Sequence, residues 1–182
     1  MKKSIIFTIF IFLLGMLAMG GVNTFFAFTN TNEFCTSCHS MQINKAEWEK
    51  TIHFKNPSGV QAGCADCHVP KQFFPKLYAK IYAAKDVYHE FIGTFAVDDE
   101  IKNNPEAYLA HYNKHRWTMA NQVWAKMKAN NSRECRNCHD YNSMDLDEQG
   151  RSAKKKHSRA PMEGKTCIDC HKGIAHEEPD EP

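Results

Sequence analysis

Every cysteine in this chain belongs to one repeated pattern. The eight thiols fall into four pairs, each with two residues between the sulfurs and a histidine directly after the second. They read Cys35-Thr-Ser-Cys38-His39, Cys64-Ala-Asp-Cys67-His68, Cys135-Arg-Asn-Cys138-His139 and Cys167-Ile-Asp-Cys170-His171. This C-x-x-C-H spacing is the attachment signature of c-type haem. Two intervening residues let both sulfurs reach the vinyl groups of one porphyrin, and the next side chain turns under the iron as an imidazole ligand. Four disulfides would need neither the constant spacing nor the histidines. Two zinc ribbons would leave the histidines superfluous. The pattern predicts four covalently bound c-type haems, with His39, His68, His139 and His171 beneath the irons.

That load also accounts for a shortage elsewhere. A chain of 182 residues has room for one domain, or one small domain and an anchor. Many of its apolar residues sit in the first 28 positions, and the remainder has too few Leu, Ile and Val for an ordinary core of its size. Porphyrins supply the missing buried apolar surface. A net charge of +2 excludes a nucleic-acid binder held mainly by electrostatics, and 42% hydrophobic residues exclude general disorder.

From Ser4 to Asn32 there is no charged residue, and Ile5 to Phe28 is almost continuously apolar. A helix over that stretch crosses a hydrocarbon layer of ~30 Å. Lys2 and Lys3 precede it, so the positive-inside rule keeps the first residues in the cytoplasm and exports the rest. Ala18-Met19-Gly20 offers a rival reading as a signal-peptide cleavage site. The apolar run nevertheless continues through Val22, Phe25, Phe26 and Phe28, which favours an uncleaved single-pass anchor. The expected organisation is an anchor helix over 1–30, a tetrahaem domain over 31–176 outside the cytoplasm, and an acidic tail over 177–182 with no assigned role.

The first two motifs start 29 residues apart, the last two 32 apart, and 71 residues separate the second from the third. This spacing suggests two di-haem units joined by a helical middle. Pro75 to about Phe91 reads as one helix with a first-turn proline. Asn104-Pro105-Glu106 reads as a cap opening a second helix to about Lys128, with Tyr112, Ala120, Val123, Trp124 and Met127 as its apolar stripe. Residues 141–163 read as loop. The expected fold is mainly α: a multihaem cytochrome c with little regular sheet and one N-terminal transmembrane helix.

Four motifs behind an N-terminal anchor resemble the NapC/NirT family of membrane-anchored tetrahaem quinol dehydrogenases, which includes the NrfH and CymA branches. The strings CTSCHSM (35–41), CADCHVP (64–70), AAKDVYHEFIGTF (83–95), RECRNCHDYNSMD (133–145) and KTCIDCHKGIAH (165–176) carry the likeness across the whole chain. The resemblance implies electron transfer from menaquinol or ubiquinol in the bacterial inner membrane to a periplasmic terminal reductase, or its cytochrome subunit, in anaerobic respiration. Nitrate reductase is the leading acceptor. A relay or docking subunit without its own quinol site is the alternative. A homo-oligomer is compatible with either.

Six histidines lie outside the motifs: His53, His89, His111, His115, His157 and His176. Low-potential bis-histidine iron needs a second imidazole per haem. The family pattern implies His53, His157 and His176 in that role. His111 and His115, one turn apart on a predicted helix, read as a solvated face, and His89 stays open. Three distal histidines for four irons leave one unusual site. Spacing favours His39 as the ligand of the first haem, whereas the NrfH branch implies Met41, two residues beyond it. The same branch implies a quinol pocket at the first haem with an aspartate and a lysine, matched here by Asp86 and, with one residue deleted between them, Lys80. Asp86 would accept a proton and Lys80 would hydrogen-bond the quinone oxygen. Six helical steps place the two on different faces of a regular helix, so the pair needs a bend.

Overall fold

The computed structural model describes residues 2–181; Met1 and Pro182, the outermost positions of the expected anchor and tail, lie outside them. Helix α1 takes up Lys2–Thr29, and only Phe26 and Thr29 on it are buried. At 1.5 Å per residue it is long enough to cross a bilayer, and its apolar side chains before the last two turns are exposed. Thr31 then caps α2 (Asn32–Cys35), its hydroxyl accepting the Phe34 N–H at 3.2 Å. The first thiol pair therefore begins within two turns of the end of the anchor.

Beyond it run α3 (Met41–Trp48), α4 (Cys64–His68), α5 (Phe73–Tyr82), α6 (Ala84–Phe91), α7 (Asp99–Lys102), α8 (Pro105–Ala129) and α9 (Arg151–Arg159). Short 3-10 turns cover Cys135–Asn137, Tyr141–Ser143 and Cys167–Asp169, and no strand occurs among the described residues. Apart from the end of the anchor, the buried apolar side chains are Trp48, Ala79, Tyr108, Tyr112 and Ile168. That is far too thin a core to hold such a chain without the porphyrins.

Helix α8 matches its sequence signals. The Asn104 side chain accepts the N–H groups of Glu106 and Ala107, both at 3.1 Å, and Pro105 opens the helix. Tyr108, Tyr112 and Arg116 form the buried stripe of its first half, one turn apart. The expected apolar stripe continues through Ala120, Val123, Trp124 and Met127, all half-buried. The helix ends on two residues in the left-handed region, Asn131 (φ 58°) and Ser132 (φ 47°). Ser132 is fully buried, and its hydroxyl accepts the Ile168 N–H at 3.1 Å, joining the third motif to the fourth.

Three expectations need correction. The helix anticipated over 75–91 is two helices meeting at Ala83. Lys80 on α5 is tied to the end of the anchor and Glu90 on α6 to the first motif, so the two halves answer to different partners. Residues 141–163 are not all loop, since α9 runs through them. Its R-S-A-K-K-K-H-S-R sequence has good helix formers but no apolar stripe to betray it. Finally, the acidic tail, expected to have no role, is tied down at its first residue: Glu177 donates its N–H to Glu47 at 3.0 Å, and its carbonyl accepts from Arg116 at 3.3 Å.

Candidate cofactor sites

Three of the thiol pairs sit on a helical turn, and the first straddles the end of α2. In the third and fourth motifs the turn is the same: the His139 N–H reaches the Cys135 carbonyl at 2.9 Å, and the His171 N–H reaches that of Cys167 at 2.8 Å. The second motif is the body of α4. No cysteine is paired with another; Cys138 and Cys170 are exposed and the other six half-buried. Successive motifs are also neighbours. Cys35 and Cys64 lie in side-chain contact, Cys67 is close to Cys135 and Cys138, and Cys135 is close to Cys167. Asn32 ties the first contact, its side-chain oxygen accepting the Cys64 N–H at 2.9 Å. A Cβ on Gly63 would stand 2.7 Å from that oxygen, so glycine is what admits it.

Histidines meet in pairs across the chain. His68 faces His176 with ring centres 6.2 Å apart, His139 faces His53 at 6.3 Å, and His171 faces His157 at 5.8 Å. Two imidazoles on opposite sides of one iron stand about 6 Å apart, given metal–nitrogen bonds of about 2 Å and rings about 1 Å from nitrogen to centre. Desolvation by the surrounding chain, together with the neighbouring His176, pushes the His68 imidazole down to about 4. The buried Nδ1 atoms of His53 and His176 have no hydrogen-bond partner. Residues and geometry fit bis-histidine porphyrins at three motifs. His53 lies before the second motif and His176 after the fourth, so two of the three pairings join the first half of the chain to the second.

A network that the sequence reading did not anticipate fixes His176. Glu47 on α3 and Arg116 on α8 form a buried ion pair at 2.7 Å. They hold the backbone N–H and carbonyl of Glu177, the next residue, from opposite sides. Arg116 also lies over the Tyr112 ring at 5.0 Å, and the Tyr112 hydroxyl donates to Asn44 at 2.9 Å. His157 is steadied by Gln149 on its Nδ1 at 2.7 Å.

The first motif differs from the others. No second imidazole stands opposite His39, whose ring instead meets Tyr108 edge-on at 4.4 Å. Its backbone N–H is donated to the Glu90 carboxylate at 2.7 Å, and the Ser40 hydroxyl donates to the same group at 2.6 Å. His39, Glu90 and Tyr108 help line a cavity of about 300 Å³. Met41 opens α3, and its sulfur is 3.7 Å from the Asn44 amide. Glu90 was missed because only the contact with Ser40 distinguishes it from the other charges of its helix.

Lys80 lies by this motif, and Asp86 is carried on the separate helix that supplies Glu90. The Lys80 ammonium donates to the Thr29 carbonyl at 2.6 Å, capping the anchor's last turn, and lies close enough to Cys35 to interact with its charge. Asp86 stands one turn before Glu90, on the same side of α6. Desolvation raises its carboxyl above the usual range, outweighing Lys85, His89 and Lys126. His111 and His115 do not form a solvated face: they close around the Phe95 ring at 6.1 and 5.9 Å, and His111 bonds the Thr94 carbonyl at 2.7 Å. His89 contacts Thr94 at 3.0 Å and faces no motif histidine.

Unpaired thiols in four motifs, imidazoles matched across the chain and a single long apolar helix left bare except at its last turns define a membrane-anchored tetrahaem cytochrome of the c type. Its role is electron transport through four covalently bound haems. The chain belongs to the NapC/NirT cytochrome c family, whose profile of the N-terminal region matches residues 1–181. It is 54% identical to a putative tetraheme cytochrome-c type protein of Allochromatium vinosum, over 93% of this chain and 89% of that one. It is 45% identical to the cytochrome c-type protein NapC of Escherichia coli K12, over 91% of this chain and 78% of that one. Among solved structures it is similar to a chain of the cytochrome c nitrite reductase NrfHA complex bound to the HQNO inhibitor, with a TM-score of 0.47 and 24% identity over 93% of this chain and 89% of that one.

Proposed function

We propose that this protein oxidises quinol at the outer surface of the bacterial inner membrane and passes the electrons to a periplasmic reductase, nitrate reductase or a related enzyme. The observation that carries the reading is the first motif, which lies at the foot of the anchor and has no second imidazole opposite it. Cys35 and Cys38, Cys64 and Cys67, Cys135 and Cys138, and Cys167 and Cys170 each attach one porphyrin. His68 with His176, His139 with His53 and His171 with His157 would hold three of the irons. His39 or Met41 holds the first, and a thioether there would raise that haem's potential above the bis-histidine ones. When bound, the haems accept and relay single electrons.

The chain's own residues handle the protons. Quinol oxidation releases two electrons and two protons, and the protons need acceptors close to the first motif. Asp86 takes one; its raised carboxyl pKa makes it a better acceptor than an ordinary aspartate. Lys80 spends one N–H on Thr29 and has two more with which to orient the quinone oxygen. The contacts Cys35 to Cys64, Cys67 to Cys135 and Cys135 to Cys167 supply a route in chain order away from the membrane.

The test is reduction of the detergent-solubilised protein by a menaquinol analogue, followed in the haem absorption bands and repeated with Asp86→Ala. Slower reduction of the variant is expected. Unchanged kinetics would remove Asp86 from the site. Failure of quinol to reduce the wild type, while a protein donor still reduces it, would make the chain a relay without its own quinol site.

A further inference from the structure

Helices α5 and α6 carry apolar side chains that no part of the protein covers. On α5, Phe74, Tyr78 and Ile81 are 78, 68 and 67% exposed, at positions i, i+4 and i+7. On α6, Tyr88 and Ile92 are 55 and 71% exposed. Single exposed apolar residues need no explanation, but a continuous face of this size does. We infer that α5 and α6 lie in the plane of the outer membrane–water interface, with these faces among the lipid acyl chains beside the anchor.

The opposite side of α5 fixes the depth. The Phe73 ring meets Phe26 at 6.0 Å, Lys76 lies over Phe26 at 5.9 Å, and Lys80 holds the Thr29 carbonyl. These contacts clamp α5 to the last turn of α1, where a helix that entered the bilayer near Ile5 leaves it. A helix clamped at that level meets the headgroup region, and an apolar face there buries ~5–10 Å deep. Composition agrees. Tyrosine and phenylalanine suit the interface, with an apolar body and, in tyrosine, a polar tip. Residues 71–86 carry Lys71, Lys76, Lys80 and Lys85 against the single acid Asp86, a balance that attracts anionic headgroups. On α6 the polar residues Asp86 and Glu90 occupy the side away from the apolar face, and Glu90 there binds the first motif. The occupant is therefore lipid, continuous with the lipid around α1.

The test is photolabelling in vesicles. The full haem-loaded protein is reconstituted into phosphatidylethanolamine–phosphatidylglycerol vesicles doped with a phospholipid carrying a diazirine on its acyl chain. After illumination, adducts are mapped by peptide mass spectrometry. Adducts are expected on peptides covering 73–92 as well as on α1, and not on α8 or α9. Phe74→Glu with Ile92→Glu, checked for unchanged haem absorption, is expected to lower labelling of 73–92 several-fold while leaving that of α1 in place. Labelling confined to α1 would overturn the inference. So would cross-links joining 73–92 of two copies in place of lipid adducts, which would make this face a contact between copies.

Discussion

Replacing Arg116 by methionine isolates what holds His176 against His68. The side chains of Arg116 and Glu47 are only 10 and 8% exposed, and their ion pair at 2.7 Å is supplemented by bonds from Arg116 to the Glu177 carbonyl and to Asn113 at 2.9 Å. Methionine is unbranched and fills much of the same space, so the main loss is electrostatic rather than a cavity. The Glu47 carboxylate then stays buried with the Glu177 N–H as its remaining partner. Stranding one member of a buried pair costs about 3–5 kcal/mol. For a chain of this size, that corresponds to an apparent melting temperature lower by roughly 10 °C. Because Glu177 adjoins His176, the second expected change is spectroscopic: one of the ferric low-spin signals should convert to high-spin as the imidazole is released. Glu47→Gln combined with Arg116→Met removes both charges and should recover a sizeable part of the lost stability. An Arg116→Met protein with an unchanged melt and unchanged ferric spectrum would refute the positioning role. A double variant no better than the sum of the single ones would refute the electrostatic account.

Three further outcomes are expected. The rate of quinol-driven reduction should rise with pH through an apparent pKa above the ordinary carboxylate range, because deprotonated Asp86 is the form that accepts a proton; Asp86→Asn should be slower and lack that limb in a stopped-flow pH series. Ser132→Ala leaves the buried Ile168 N–H without its acceptor, for a loss of about 1–3 kcal/mol in denaturant melts, whereas an unchanged midpoint would mean the bond contributes nothing. The Asp169 carboxyl is held down at about 2, first by Lys128 at 2.7 Å and then by the Thr166 N–H. A depressed carboxylate contributes stability above its unfolded pKa of ~3.9 and loses it as pH falls through about 2. Acid melts of Asp169→Asn should accordingly be flatter across that window than those of the parent.

The parts of this fold that rest on local chemistry were legible in the sequence. The thiol motifs, the apolar anchor and the Asn104-Pro105 start of α8 each depend on residues a few positions apart. The parts that rest on distant partners were not. Nothing local marks Ala83 as a break, because the break comes from Lys80 and Glu90 being tied to different places. The run 151–159 hides a helix because periodicity is visible only when an apolar face exists to repeat. Glu47, Arg116 and Glu90 looked like ordinary surface charges, and only their burial or contacts give them roles. His111 and His115 looked solvated because the partner that gathers them, Phe95, lies on another segment.

The exchange of imidazoles between the halves bears on why the chain cannot be read as two separable modules. The second motif's histidine finds its partner in His176, over a hundred residues further on, and the third motif's finds His53, which precedes the second motif. A half containing only the first two motifs would keep both thiol pairs but would place no second imidazole opposite His68. A half containing only the last two would keep the His171–His157 pair, which is local, and lose the partner of His139. With so few buried aliphatic side chains, porphyrins and their cross-chain ligands are the main links between α3, α4 and the turns of the later motifs. The same architecture that spaces the haems for electron passage is thus what makes the domain a single folded body.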